Sequence, residues 1–229
     1  MSKKAKTLSD QQFDELLQSV GNDSHDALRD YAILSFSFKA GLRACEIARI
    51  AWRDVTDAAG GIGTLTNGEY HFTVPAHVAK KGHARTIPMH PGLRAVLEAL
   101  AEREGKPLVG NVIKGRYSSQ VSPNTLQRYI GRLYLRHGLA GCSSHSGRRT
   151  LITKAVRIAN QEGCSIFDVQ SIAGHKYIDT TERYVELSDN VGAPCPKSTC
   201  ASSPGALSST SKRSGSRCFN ARTNRFTEL

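Results

Sequence analysis

No stretch of this 229-residue chain approaches the roughly 18 apolar residues that a helical membrane span requires, so no part of it is expected to cross a bilayer. No apolar segment follows the basic start MSKKAKTLSDQQ, which therefore does not read as a secretory leader. No CxxC pair occurs. The six cysteines, at 45, 142, 164, 195, 200 and 218, have the spacing of neither a disulfide framework nor a zinc site. Cys142 and His145 alone have a metal-like spacing, and no second ligand pair accompanies them. The body is expected to be a reduced, cytoplasmic protein. Acid is the scarce charge: 20 Asp and Glu stand against 31 Lys and Arg, giving a formal net charge of +11. That excess favours a polyanionic partner, because cations placed beside phosphates release condensed counterions.

What is present divides near residue 190. The segment from 191 to 229 holds eight serines, six basic residues and one acid, with no apolar periodicity. By composition it is a disordered basic tail. It carries +5 of the +11, so residues 1–190 keep +6 and are basic in their own right. Within them, SDQQFDELLQSV predicts a helix capped at Ser9, with Phe13, Leu16, Leu17 and Val20 on one face. HDALRDYAILSFSFKAG predicts a second, largely buried helix stopping at Gly41, and RACEIARI a short one after it. Between Gly60 and Met89, glycines punctuate short extended runs that predict a small antiparallel sheet or hairpin. Helices resume with PGLRAVLEALAERE, SPNTLQRYIGRLYLRHG and the segments 146–161, 165–174 and 179–187. The expected fold class is α+β, mainly α with a small antiparallel β insert.

Four short stretches carry residue types suited to phosphate chemistry. Arg43, in AGLRACEIARI, follows a glycine break at a helix start, where its planar fork and free backbone N–H groups can face an anion. An Arg three residues before Glu46 is also an ordinary surface pair. His145 and Arg148, in HSGRRT, lie three apart at a helix start and so share a face. One can handle protons and the other can hold a phosphoryl oxygen, though this spacing alone is common. In AKKGHARTIPMH, Lys80 and Lys81 precede a Gly-His turn, from which a lysine can reach a leaving oxygen or simply touch a DNA backbone. In AGHKYIDTTERYVEL, Gly174 ends a helix, His175 follows, and Tyr184 sits on the next helix. Alone, that Tyr reads as half-buried packing.

In this order and combination the four stretches resemble the tyrosine recombinase (phage integrase) family over about residues 8–190. GLRACEIARI resembles its first arginine box, KKGHARTIP its hairpin-lysine motif, HSGRRT its HxxR box, and AGHKYIDTTERYVEL its C-terminal box. The resemblance implies a catalytic domain over 1–190 that cuts and rejoins duplex DNA at a specific site through a 3′-phosphotyrosine. It implies Arg43 and Arg148 as the phosphate clamp and His175 as a donor to a non-bridging oxygen. His145 becomes the base toward Tyr184, the nucleophile, and Glu46 the partner that orients Arg43. For the acid, the usual hairpin length selects Lys80, whereas adjacency to Gly82 selects Lys81. No metal and no cofactor is implied. The implied partner is double-stranded DNA, bound by a homotetramer on two sites. Arg43 lies too near the N-terminus for the helical domain that members usually carry ahead of it, so the likeness is to short, catalytic-domain-only members. After Leu187, SDNVGAPCPKSTC has no pattern for the C-terminal helix or strand that members often exchange between protomers. A DNA-binding regulator or inactive mobile-element remnant, and a type IB topoisomerase-like nicking-closing enzyme, are the competing readings.

Overall fold

A computed structural model describes residues 5–80, 82–162, 165–182 and 184. In chain order its elements are α1 (Asp10–Asp23), α2 (Ala27–Phe38), α3 (Ala44–Ile47), α4 (Trp52–Val55), β1 (Thr64–Thr66), β2 (Glu69–Val74), β3 (Arg85–Pro88), α5 (Pro91–Arg103), α6 (Pro123–Arg136), α7 (Ser146–Glu162) and α8 (Ile166–Ala173). A further helical stretch covers 179–182 and Tyr184. The mainly helical expectation with one small sheet holds. The expected tail, 191–229, lies outside the described residues, as do Lys81 and residues 185–190.

The run AILSFSF places α2 at the centre. Ala32, Ile33, Leu34 and Phe36 are fully buried, because α1, α5 and α7 pack around them. Each such large side chain contributes about 1.5–3 kcal/mol by leaving water. Ser9 caps α1 through a reciprocal box with Gln12, and the helix buries Phe13, Leu16 and Val20 as its spacing predicts. Asp30 of α2 is also fully buried. It is satisfied by Ser24 Oγ at 2.6 Å and by the Tyr129 hydroxyl at 2.7 Å, which ties α6 to α2. Burial, then the Asp30 hydrogen bond and charge, push the Tyr129 phenol up to about 12.

The second helix ends earlier than the sequence predicts. It stops at Phe38, and the Leu42 N–H closes onto the Phe36 carbonyl at 3.0 Å. Gly41 then takes a left-handed φ of 62°, which turns the chain toward Arg43. The short turn α4 carries no clear sequence signal; the fully buried Trp52 anchors it in the core.

The sheet has the order β1-β2-β3 and is antiparallel throughout. Asn67 and Gly68, both at positive φ, form the tight turn between β1 and β2. Phe72, Val74 and Ile87 point into the core. HFTVPAHV is strand only as far as Val74; the Val78 and Ala79 amides then close a turn onto the Pro75 carbonyl. The long β2–β3 link carries Lys80.

A second apolar cluster joins α7 to α8 through Ile152, Ala155, Val156, Ala159, Val169 and Ala173, with Tyr184 packed against it. Gly147 lets the start of α7 press on α2, since a Cβ there would run into Ser37 Oγ and the Phe38 ring. No helix among the described residues is long and apolar enough to cross a membrane.

Candidate active site

The site begins at α3. Arg43 is its N-cap, and Glu46, one turn on, is fully buried. One Glu46 oxygen accepts from Arg43 Nη1 at 3.1 Å, and the other from the Arg43 backbone N–H at 2.9 Å. The ordinary pair foreseen for Arg43 and Glu46 therefore exists, but at a buried carboxylate. Glu46 also accepts the Lys80 amide at 3.3 Å and both terminal nitrogens of Arg85, at 3.2 and 2.8 Å. Burial alone would raise the Glu46 carboxyl. The Arg85 bonds and charge, then those of Arg43, overcome that and hold it at about 2.

Arg148 closes the same centre from α7. It is 5% exposed and donates to the Gly41 and Ala173 carbonyls, both at 2.5 Å. Those carbonyls lie two residues before Arg43 and two before His175, so one guanidinium ties the first box to the last. Burial, then the Arg43 charge, lower its pKa to about 9, which leaves it cationic at neutral pH. His145 stands just before α7 at the open side, with its Nδ1 3.3 Å from Ser144 Oγ. Partial desolvation of the ring, then the Lys80, Arg148 and Arg43 charges, depress its pKa below the ordinary value. The Lys80 side chain is exposed, and its charge reaches His145.

Gly174 ends α8 in a left-handed conformation, φ 60°, and releases the chain into His175. The His175 Nδ1 lies 2.9 Å from Thr181 Oγ1, a hydroxyl on a fully buried residue. The His175 and Tyr184 rings are 6.1 Å apart at 21°. Tyr184 is half-buried, and its phenol is close enough to act on the Arg148 charge.

Arg43, Glu46, Lys80, His145, Arg148, His175 and Tyr184 thus form one connected group. Lys81 falls outside the described residues. Two residues given no role from sequence belong to the same group: Arg85, which grips Glu46, and Thr181, which fixes the His175 ring. Arg85 had a weak signal, as a cation opening a strand beside the lysine turn. Thr181 had none, because a threonine six residues past a histidine matters only when the intervening turn brings it back.

The centre is rich in positive charge, with Glu46 as its buried carboxylate. It can grip an anion with two guanidinium groups while a tyrosine hydroxyl stands beside it. The pattern described as the phage integrase family matches residues 6–190. The chain belongs to the phage integrase family. It is 28% identical over 172 residues to a tyrosine recombinase XerC of Xanthomonas campestris pv. campestris (strain B100), covering 75% of this chain and 48% of that protein. It is 25% identical over 183 residues to the tyrosine recombinase XerC of Staphylococcus carnosus (strain TM300), covering 79% and 56%. The chain spans about half the length of the curated relatives it matches. Among solved structures, XerA recombinase superposes with a TM-score of 0.61 at 22% identity, over 80% of this chain and 61% of that one. The Tn1549 transposon integrase in complex with a circular intermediate DNA gives 0.60 at 20% identity, over 80% and 62%. XerH recombinase bound to palindromic difH substrate gives 0.60 at 18% identity, over 81% and 50%. These superpositions establish a shared fold for this family member.

Proposed function

We propose that this chain is a site-specific DNA recombinase that cuts and rejoins duplex DNA through a 3′-phosphotyrosine. The observation that best supports this is the convergence of the Arg43, Arg148 and Lys80 charges on the His145 ring, beside the stacked pair of His175 and Tyr184. A free phenol has a pKa near 10 and attacks poorly at neutral pH. In the proposed step the Tyr184 oxygen attacks phosphorus and its proton passes to neutral His145. The bond to the 5′ oxygen breaks, and Lys80 protonates that oxygen. Arg43, Arg148 and His175 hold the non-bridging oxygens as charge gathers on them. The Thr181 contact orients the His175 ring for that role. A 5′-hydroxyl from a partner strand reverses the step without ATP, because the phosphotyrosine keeps the ester bond energy.

The same reading assigns residues 1–190 as the catalytic unit and 191–229 as a basic, Ser-rich tail. It places the protein in the cytoplasm, acting on double-stranded DNA as a homotetramer on two sites. XerH bound to a difH substrate and the integrase–DNA complexes among its structural neighbours support DNA as the partner.

The test is a nicked suicide DNA substrate, from which the cleaved strand diffuses away. A denaturation-resistant protein–DNA adduct is expected with wild type and absent with Tyr184→Phe. Binding without an adduct supports a regulator instead. On a two-site plasmid, inversion or integration supports recombination, and relaxation alone supports the topoisomerase-like reading.

A further inference from the structure

Arg85 opens β3, and no step of the proposed chemistry uses it. Its side chain is 7% exposed, and it grips both Glu46 oxygens at once. The same carboxylate takes the Arg43 backbone N–H, Arg43 Nη1 and the Lys80 amide. On its other side Arg85 supports the end of α8. A Cβ built on Gly174 would stand 2.9 Å from Arg85 Cδ, 3.1 Å from Nε and 3.2 Å from Nη1. The next residue is His175. The buried Nε–H finds no acceptor among the described residues. One planar guanidinium is therefore held between the carboxylate that orients Arg43 and the glycine that launches His175.

We infer that Arg85 is a positioning residue, which through its fork on Glu46 and its contact beneath Gly174 sets Arg43, the Lys80 turn and His175 relative to one another. The inference rests on the strand-cleavage reading of the site. A lysine would supply the charge but neither the paired bonds nor the flat surface under Gly174, so charge alone is not sufficient.

The charged groups facing Glu46 are Arg43 at the start of α3, Arg85 of β3 and Arg148 of α7, and the backbone amide of Lys80 in the β2–β3 link donates to it as well. Burial works to neutralise Glu46, and Arg85 is the foremost group keeping it ionised. Weakening Arg85 therefore lets Glu46 take up a proton at a higher pH, and Arg43 then loses its acceptor. Cleavage by such a variant becomes more sensitive to acid than cleavage by wild type.

The test uses Arg85→Lys in the full chain. DNA affinity is expected to be unchanged. The single-turnover rate of adduct formation is expected to fall about 10- to 100-fold, the scale of a misplaced reacting group. The acid limb of its pH profile is expected to move upward. In the free protein, the ¹³C carboxyl signal of Glu46 is expected to titrate at higher pH, with the Lys80 and His175 amide signals displaced together. Removing one member of a buried ion pair can unfold a protein, so Arg85→Gln combined with Glu46→Gln serves as the second variant. It is expected to regain stability without regaining rate. A wild-type rate and acid limb in Arg85→Lys, or a double variant that regains both stability and rate, overturns the inference. If wild type forms no adduct on any site, the cleavage reading fails, and the free-protein signals still decide the inference. Joint displacement of Glu46, Lys80 and His175 supports it, and unmoved Lys80 and His175 signals overturn it.

Discussion

The His145 pKa is held below its ordinary value because the ring is partly desolvated and because Lys80, Arg148 and Arg43 disfavour a further positive charge. A base must be unprotonated to accept the Tyr184 proton, so cleavage falls as pH drops through the His145 pKa. The midpoint is expected below the ordinary 6.5. Lys80→Met removes one of the repelling cations, so the midpoint is expected to rise toward that value. A substrate with a 5′-bridging sulfur, which leaves without an acid, keeps the rate measurable. Lys81→Met is the control, and a wild-type midpoint there with intact cleavage supports Lys80 as the acid. Glu46 gives a stability effect that is likewise lost toward acid. Its carboxyl titrates at about 2 in the fold against an ordinary 4.5. The stabilisation is full above the ordinary value and is lost as pH falls through about 2. Its size is about 3 kcal/mol, at about 1.4 kcal/mol per unit. Denaturant melts across that window are expected to slope less in Glu46→Gln than in wild type.

At the scale of elements, two glycines predict opposite outcomes. Gly174 caps α8 at φ 60° and rests against Arg85, so Gly174→Ala adds both backbone strain and a clash. A loss of about 1–3 kcal/mol in denaturant melts is expected. Gly131 sits inside α6, and a methyl group added there would meet no atom within 4 Å outside its own helix backbone and chain neighbours. Gly131→Ala is expected to stabilise by about 0.5–1 kcal/mol, because glycine loses more chain entropy in a helix than alanine does. The boundaries of several elements were legible in the sequence for the same local reasons. Ser9 and Ser122 mark the starts of α1 and α6, and each side chain accepts from the backbone of the third residue on. Gly41 was a true break but a poor marker of where α2 ends, because Lys39 caps the helix first.

For the whole molecule, the charge is the largest lever on the proposed DNA partner. Residues 191–229 hold +5 of the net +11. Deleting them is expected to flatten the dependence of non-specific DNA affinity on salt, since fewer counterions are released, while Tyr184-dependent adduct formation persists. Fluorescence titrations over a range of salt concentrations check this. A salt slope equal to that of the full chain would mean that the tail does not touch DNA.

The sequence by itself determined the order of the four boxes, the helical periodicities, the caps and the excess of positive charge. Those features depend on neighbours a few residues apart, which any reading of the chain can see. Only the tertiary structure decided that Glu46 is shared by Arg43 and by Arg85, 39 residues further on. It alone joined Arg148 to the carbonyls of Gly41, 107 residues back, and of Ala173, 25 residues ahead. Thr181 entered the site only when the turn after Gly174 brought it to the His175 ring. The physical reason is desolvation. Which charges leave water together, and which groups must then pair, is set by distant segments packing into one volume, and no local spacing carries that information.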